Sequence, residues 1–199
     1  LLERLGVHVI PLNCEPDGNF YRDPEPTPAN LGDLIEAVRK SDADLGFATD
    51  PDADRLALVT GHKDARAISE EYTLAFAVDE VMSHQKGDVV VNLSTSNWVD
   101  HVAKKHGVRI HRTPVGEAHV VDRMLREKAV IGGEGNGGVI FPELHPGRDA
   151  QVGMALILQF LAETGMSLDE AARRYPPFII TKAKVALAGA FSPRRISDA

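Results

Sequence analysis

Short apolar runs alternate with longer stretches of helical spacing along most of this 199-residue chain. The run 88–93 has a Val-Val-Val centre, which is typical of a strand that is buried on both faces. The stretch 97–106 that follows has helical spacing and ends at Gly107, a residue type that commonly closes helices. This alternation predicts an α/β fold in which mixed, mostly parallel sheet layers are flanked by helices.

The chain divides near a polar segment at 61–67, and we expect two consecutive α/β domains of which the first is partial. Apolar runs predict strands over 7–12, 45–48 and 56–60, with a helix between the first two. The tail from Pro176 onward begins with two prolines, so we expect one strand and a linker there. The chain opens without Met in what reads as a helix end, which suggests a truncated piece.

The formal net charge of −7 disfavours nonspecific nucleic-acid binding, for which a basic stripe is expected. It still permits an anionic substrate, because a local pocket can be positive on an acidic protein. No apolar run approaches the roughly 20 residues of a membrane span, so we expect neither nucleic acid nor membrane as a partner. The single cysteine, Cys14, excludes an intrachain disulfide and fits a reducing, cytoplasmic location. We interpret Cys14 as a small apolar filler.

Three carboxylates stand at alternate positions in the segment Asp50-Pro-Asp-Ala-Asp-Arg55, directly after a predicted strand. A looped backbone can aim all three at one point, where their mutual repulsion favours a cation. Hard divalent cations such as Mg²⁺ take oxygen ligands, so Asp50, Asp52 and Asp54 are candidate metal ligands. Arg55 beside them suits a phosphoryl group. A solvated acidic turn is the alternative, whereas EF-hand spacing fails because Arg55 stands where Gly is required.

Five glycines occupy the segment 132–138, which lies between two predicted strands. The segment matches neither a P-loop, since no Gly-Lys-Ser/Thr follows, nor a dinucleotide fingerprint, since no helix follows. Its polar residues, Glu134 and Asn136, stand two apart and can face the same side, where an acceptor carboxylate and an amide suit vicinal sugar hydroxyls. A flexible hairpin turn is the alternative interpretation.

Two further polar clusters precede predicted helices, where free backbone N–H groups can meet an anion. In the first, Thr113-Pro-Val-Gly116, the alternative is ordinary strand-to-helix punctuation. In the second, Arg148 is a candidate phosphate ligand, although Asp149 can also simply cap the helix. Hydroxyls at 94–96 follow the Val-rich strand, at the end where α/β folds usually hold ligands.

Asp50-Pro-Asp-Ala-Asp-Arg55 together with Gly133-Glu-Gly-Asn-Gly-Gly138 resembles the α-D-phosphohexomutase family. Thr113-Pro-Val-Gly116 and Gly147-Arg-Asp-Ala150 are similar to further family segments in the same order, and the resemblance spans about residues 1–175. The family includes phosphoglucomutases, phosphomannomutases and phosphoglucosamine mutases, and it implies four domains. Residues 1–66 then form the C-terminal part of the metal-binding second domain, 67–175 the sugar-binding third domain, and 176–199 a linker toward a fourth.

The resemblance also implies an activity and roles for these residues. The family moves a phosphoryl group between the 1- and 6-oxygens of a hexose phosphate through an enzyme phosphoserine and a bisphosphate intermediate. By resemblance, the three aspartates bind Mg²⁺, Arg55 contacts the transferring phosphoryl group, and Glu134 and Asn136 read sugar hydroxyls. Thr113, Gly116 and Arg148 are the remaining candidate substrate residues.

Two departures from the family pattern concern proton transfer. Many members have histidine where this chain has Gly138, and a polar or histidine residue where it has Glu117. The chain also lacks the serine loop of the first domain, so we expect it to be inactive without the missing domains of the same polypeptide. A noncatalytic sugar-phosphate binding or interaction module of the same architecture is the alternative.

Overall fold

The computed structural model describes residues 1–178 and 180, so most of the predicted strand and linker over 176–199 lies outside the described residues. The α-helices are α1 (Gly32–Ser41), α2 (Glu71–His84), α3 (Trp98–His106), α4 (Glu117–Glu127), α5 (Ala150–Thr164) and α6 (Leu168–Arg173). The strands are β1 (Leu45–Thr49), β2 (Leu56–Thr60), β3 (Val89–Asn92), β4 (Ile110–Thr113), β5 (Ile131–Glu134) and β6 (Gly138–Ile140). Short 3-10 helices cover Leu2–Leu5 and Pro28–Asn30.

The larger sheet has the strand order β4-β3-β5-β6. Its central strand β3 runs parallel to both β4 and β5, and β6 returns antiparallel to β5. The smaller sheet is the antiparallel pair β1-β2. The prediction of a mixed, mostly parallel α/β fold with flanking helices is therefore confirmed.

The Val-rich strand β3 is buried on both faces, as its sequence predicts. Val89 and Val91 join the main apolar cluster, whereas Val90 packs with Val120 and Met124 of α4 on the opposite face. This division follows from the alternation of side chains along a strand. Helices on both faces also explain why the strand is a continuous apolar run.

The β1-β2 pair shares its core with the larger sheet's helices. Leu56 and Leu58 of β2 belong to the main apolar cluster, which also contains Phe76 of α2 and Phe160 of α5. The rings of Phe76 and Phe160 stack with their centroids 5.2 Å apart. Val59 points to the other side of β2, into a cluster formed with α1. Both sides of the polar segment 61–67 are thus joined by packing.

The predicted strand over 7–12 is wrong, because the structure has no regular secondary structure there. No described strand pairs with this segment, and an unpaired strand leaves its backbone groups without ladder partners. The interpretation of Cys14 as an apolar filler is also wrong: the residue is exposed, and its thiol donates to the carbonyl of Leu12 at 3.4 Å. None of the described helices is both long and apolar enough to cross a lipid bilayer.

Candidate functional site

The acidic loop, residues 50–55, connects β1 to β2 and curls around one of its own carboxylates. Oδ1 of Asp50 accepts hydrogen bonds from the backbone N–H groups of Asp54 at 3.1 Å and Arg55 at 3.0 Å. Ala53 has a φ of 54°, which turns the chain back so that its N–H donates to the carbonyl of Asp50. Asp50 itself is buried at 7% exposure. The loop therefore has a hydrogen-bonded turn conformation, in which the carboxylate of Asp50 is buried and accepts from the backbone.

The three aspartates of the acidic loop converge. Asp50, Asp52 and Asp54 each offer a carboxylate oxygen, and these oxygens lie within 4.8 Å of one another. Burial raises the pKa of Asp54 to about 6; Arg148 opposes the shift, and the charges of Asp50 and Asp52 add to it. Oδ1 of Asp54 is buried and accepts no hydrogen bond from the described residues. A divalent cation with oxygen ligands fits this donor set.

Arg55 links the acidic loop to a shallow cleft. Its Nε lies 3.2 Å from Oδ2 of Asp50 and 3.6 Å from Oδ1 of Asp54, and its side chain is 31% exposed. The cleft that it lines also contains Glu25 and Asn136. Two residues that are 81 positions apart, Arg55 and Asn136, are thereby brought to one surface.

The glycine-rich segment forms a β-hairpin, since β5 and β6 pair antiparallel with Glu134 opposite Gly138. Gly137 has a φ of 92°, and its carbonyl accepts a hydrogen bond from the N–H of Leu56 at 3.0 Å. A Cβ at this position would lie 2.4 Å from the carbonyl oxygen of Leu56. The absence of a side chain therefore lets the hairpin rest against the end of the acidic loop.

Glu134 is a buried hub of hydrogen bonds at 4% exposure. Its Oε1 accepts from Nδ2 of Asn92 at 2.6 Å and from the N–H of Gly116 at 3.2 Å. Its Oε2 accepts from Nη1 of Arg148 at 2.6 Å. The N–H of Gly116, which the sequence predicts to meet an anion, thus donates to a carboxylate of the protein itself. Asn136, two residues further on, lines the cleft instead.

Arg148 lies between carboxylates from three parts of the chain. Its Nη2 pairs with Asp54 of the acidic loop, its Nη1 with Glu134, and its Nε lies 3.6 Å from Oε2 of Glu117 at the start of α4. Its backbone N–H donates to Oε1 of Glu117 at 2.8 Å. The guanidinium, predicted as a phosphate ligand, is held by these groups with its side chain 14% exposed. Asp149, the next residue, caps α5 through Oδ1, as its alternative role predicts.

Sequence reasoning missed Asn92 as a member of the site. Oδ1 of Asn92 accepts from Oγ1 of Thr95 at 2.9 Å, and the N–H of Gly135 donates to that same hydroxyl at 3.0 Å. Asn92 ends a Val-rich strand at its carboxyl edge, which is the signal that identifies such a residue. Thr113, a candidate substrate residue from the sequence, is the last residue of β4. It is buried, and its hydroxyl donates to the carbonyl of Pro114.

Family models match almost the whole described chain. Residues 69–178 match the model for Phosphoglucomutase/phosphomannomutase, alpha/beta/alpha domain III, and residues 1–63 match the model for domain II of the same family. The expected resemblance, which rested on four short motifs, is confirmed over both domains.

Curated relatives give the same result. A phosphoglucomutase/phosphomannomutase of Thermococcus kodakarensis is 38% identical over 92% of this chain and 40% of its own length. A probable phosphoglucosamine mutase of Methanopyrus kandleri is 37% identical over 93% of this chain and 41% of its own. This chain thus spans about two fifths of the length of these relatives.

Solved structures agree with the fold. A phosphoglucomutase/phosphomannomutase family protein of Burkholderia thailandensis covers 78% of this chain and 34% of its own, with a TM-score of 0.69 and 26% identity. N-acetylphosphoglucosamine mutase of Aspergillus fumigatus, solved with GlcNAc-6P and magnesium, covers 67% of this chain and 33% of its own, with a TM-score of 0.54 and 17% identity. The chain belongs to the phosphoglucomutase/phosphomannomutase family, of which it holds two consecutive α/β/α domains.

Proposed function

We propose that this chain is the metal-binding and sugar-binding part of a longer phosphohexomutase, which interconverts hexose 1-phosphate and hexose 6-phosphate through a phosphoserine and a bisphosphate intermediate. The observation that carries the proposal is the convergence of the three aspartates within 4.8 Å, directly beside the glycine-rich hairpin. Family membership supports the same reaction class.

Asp50, Asp52 and Asp54 are the proposed ligands of Mg²⁺. The buried Oδ1 of Asp54, which accepts no hydrogen bond from the described residues, supports a cation there. The Aspergillus fumigatus relative, which was solved with magnesium, supports the same choice of ion. When bound, Mg²⁺ supplies positive charge that stabilises a transferring phosphoryl group.

Arg55 is the proposed catalytic residue of this chain. Its Nε lies 3.2 Å from Oδ2 of Asp50, which places the guanidinium beside the acidic loop, while 31% of the side chain is exposed. A planar, permanently charged guanidinium can bind two oxygens of a phosphoryl group at once. Arg55 therefore orients the phosphoryl group and balances its charge as it is transferred.

Asn136 and Glu134 are the proposed sugar-binding residues. Asn136 lines the cleft, whereas Glu134 is buried. Asn136 lines the cleft beside Arg55, where its amide can both donate to and accept from sugar hydroxyls. A carboxylate has about four lone-pair sites, and three of those of Glu134 are used by Asn92, Gly116 and Arg148. The remaining site of Glu134 can accept one hydroxyl.

Thr113, Gly116 and Arg148 complete the proposed substrate-binding set. Gly116 and Arg148 act mainly through Glu134, to which both donate hydrogen bonds. Thr113 ends β4 one residue before the segment that leads to Gly116, so it fixes the start of that segment. These contacts support a role in shaping the sugar subsite.

The metal site is tested by a Mn²⁺ titration, in which Mn²⁺ is a spectroscopic substitute for Mg²⁺. The chain is compared with an Asp52→Asn, Asp54→Asn double variant. The matched control is Asp42→Asn, Asp44→Asn, which changes two exposed aspartates at the same spacing. We expect saturable binding in the parent and in the control, and its loss in the first variant. Equal binding in all three would refute the proposed ligands.

The assigned reaction is tested on the longer protein with glucose, mannose and glucosamine phosphates. We expect turnover of at least one by the longer protein and none by the 199-residue chain alone, which lacks the serine loop. Turnover by the isolated chain would contradict the proposal that the reaction needs the missing domains. Binding without turnover by the longer protein would favour a noncatalytic sugar-phosphate module.

A further inference from the structure

A buried carboxylate, an imidazole and a second carboxylate meet where α2 and α5 end. Glu80 and His84 stand four residues apart on one face of α2, and Glu163 faces them from α5. Nε2 of His84 lies 2.9 Å from Oε1 of Glu80 and 3.0 Å from Oε2 of Glu163. One ring nitrogen thus contacts two carboxylates, and we call these three residues the α2–α5 cluster.

The α2–α5 cluster has more negative than positive charge. The side chain of Glu80 is only 3% exposed, and within the described part of the chain its ion pair is with His84 alone. Burial raises the pKa of Glu80, and the charge of Glu163 raises it further. The side-chain amide of Gln159 donates to Oε1 of Glu163 at 3.0 Å and lies 3.3 Å from Nε2 of His84, so Glu163 has a second donor. Nε2 of a neutral imidazole carries at most one hydrogen, for which Oε1 of Glu80 and Oε2 of Glu163 compete. A divalent cation in place of that hydrogen would satisfy all three groups.

A second group of a histidine and two carboxylates in the described residues differs from the α2–α5 cluster in the partners of its carboxylates. Around His111, Asp88 pairs with Arg109 at 3.0 Å, and Glu127 pairs with Arg123 at 2.9 Å. Arginines therefore already neutralise the carboxylates of that group. In the described ranges, neither carboxylate of the α2–α5 cluster forms an ion pair with lysine or arginine.

We propose that the α2–α5 cluster binds a divalent transition-metal ion, and that this ion joins the C-terminal ends of α2 and α5. Zn²⁺ is the ion that best fits the donor set. One imidazole and two carboxylates form a donor set that suits Zn²⁺, with water in the fourth position. Ligand atoms at tetrahedral angles and bond lengths of about 2.0–2.2 Å lie roughly 3.3–3.6 Å apart. The two separations from Nε2 of His84, 2.9 and 3.0 Å, need to widen by roughly half an ångström, and all three ligand atoms lie within 4.8 Å of one another.

This site is separate from the acidic loop. The first residue of α2, Glu71, accepts a hydrogen bond from the N–H of Ser96 and lies against the glycine-rich hairpin. His84 ends the same 14-residue helix, about 20 Å further along its axis. A metal in the α2–α5 cluster therefore has a structural role, since it holds α2 against α5 without contacting a substrate at the cleft.

The test is a Co²⁺ titration followed by absorption, since Co²⁺ reports zinc-type coordination. The chain carries Asp52→Asn and Asp54→Asn throughout, so that the acidic loop does not contribute. We expect saturation at one equivalent. We expect His84→Ala to weaken binding by about 100-fold or more, since loss of even a supporting group costs 10–100-fold. His119→Ala, which removes an exposed helical histidine, is the matched control and should retain the affinity.

Thermal unfolding gives an independent measurement on the same proteins. Zn²⁺ should raise the Tm of the background protein and leave the Tm of His84→Ala and Glu163→Gln unchanged. His84 and Glu163 are 50% and 45% exposed, so both variants should fold, which circular dichroism checks. The absence of Co²⁺ binding in the background protein, or equal affinity in His84→Ala, would overturn the inference. Neither result depends on the proposed Mg²⁺ site.

Discussion

The guanidinium of Arg148 donates from Nη1 to Oε2 of Glu134 at 2.6 Å, and the two side chains are only 14% and 5% exposed. Arg148 also pairs with Asp54, so one cation neutralises a carboxylate from the acidic loop and one from the glycine-rich hairpin. The acidic loop and the hairpin are far apart in sequence. Their link is therefore an electrostatic contact that the fold creates and that no local motif contains.

Replacement of Arg148 by alanine should destabilise the chain strongly. Glu134 would lose its cation and Asp54 would keep only the more distant Arg55, and an uncompensated buried charge costs about 3–5 kcal/mol. We expect the free energy of unfolding to fall by about 3 kcal/mol in urea denaturation. Arg126→Ala is the control, because Arg126 pairs with Asp122 at the surface and should cost about 0.5 kcal/mol. Equal losses in the two variants would contradict the importance of the buried link.

Gly137→Ala should separate the hairpin from the acidic loop. The position combines a φ of 92° with a Cβ that would lie 2.4 Å from the carbonyl oxygen of Leu56. Gly165→Ala is a matched control, since its φ is 65° and a Cβ there meets nothing within 4 Å. We expect about 1 kcal/mol of destabilisation at Gly165 and at least about 2 kcal/mol at Gly137. Urea denaturation measures both, and similar values would show that the close contact is unimportant.

Asp79 should stabilise the chain in a pH-dependent manner. Burial opposes ionisation of Asp79, but hydrogen bonds from His106, Lys105 and Tyr175 outweigh it and lower the pKa of this carboxyl. A lowered pKa in the folded state means that the stabilisation is present above the ordinary value of 3.8 and is lost as the pH falls below it.

Asp79→Asn tests this contribution without a change of shape. We expect the free energy of unfolding at pH 7 to fall by about 1–3 kcal/mol, because hydrogen bonds to a charged group are lost. We also expect a shallower decline on acidification, measured by urea denaturation between pH 3 and 7. Asp122→Asn, at an exposed position, should leave both quantities nearly unchanged. A parallel decline in parent and Asp79→Asn would contradict the assignment.

Asn136→Ala should impair the proposed mutase reaction more than stability. Asn136 lines the cleft with Arg55, so its removal would take away the hydrogen bonds to the sugar that we propose for its amide. We expect kcat/KM of the longer protein to fall by about 10–100-fold, which corresponds to about 1.4–2.7 kcal/mol of lost transition-state binding. Asn19→Ala, in an exposed loop, is the control. Unchanged kinetics in Asn136→Ala would remove this residue from the sugar subsite.

Periodicity predicted the fold well where burial alone determines structure. The strand β3 lies within the predicted 88–93 because a Val-rich run buried between two helix layers has few alternative conformations. The segment 7–12 has a similar apolar content, but no described strand pairs with it. Pairing is a long-range property. The local difference between the two runs is Pro11, which has no N–H to donate to a strand ladder.

The sequence predicted the arrangement of the side chains in the acidic loop better than it predicted the contacts of Glu134 in the hairpin. The spacing of the three aspartates is local, and the structure brings their carboxylates together. The partners of Glu134, in contrast, come from β3, the start of α4 and the start of α5. The sequence indicated an acceptor carboxylate at position 134, but three-dimensional contacts show that most of its lone pairs are used within the protein.

Two backbone hydrogen bonds join the acidic loop to elements on either side of it. The N–H of Ala150 donates to the carbonyl of Ala53, and the N–H of Leu56 donates to the carbonyl of Gly137, both at 3.0 Å. With Arg148 between them, these contacts join the loop and the hairpin into one packed unit. A motion that separated the loop from the hairpin would have to break these contacts. In the proposed reaction, the bisphosphate intermediate would therefore reorient while the acidic loop and the hairpin stay in contact with each other.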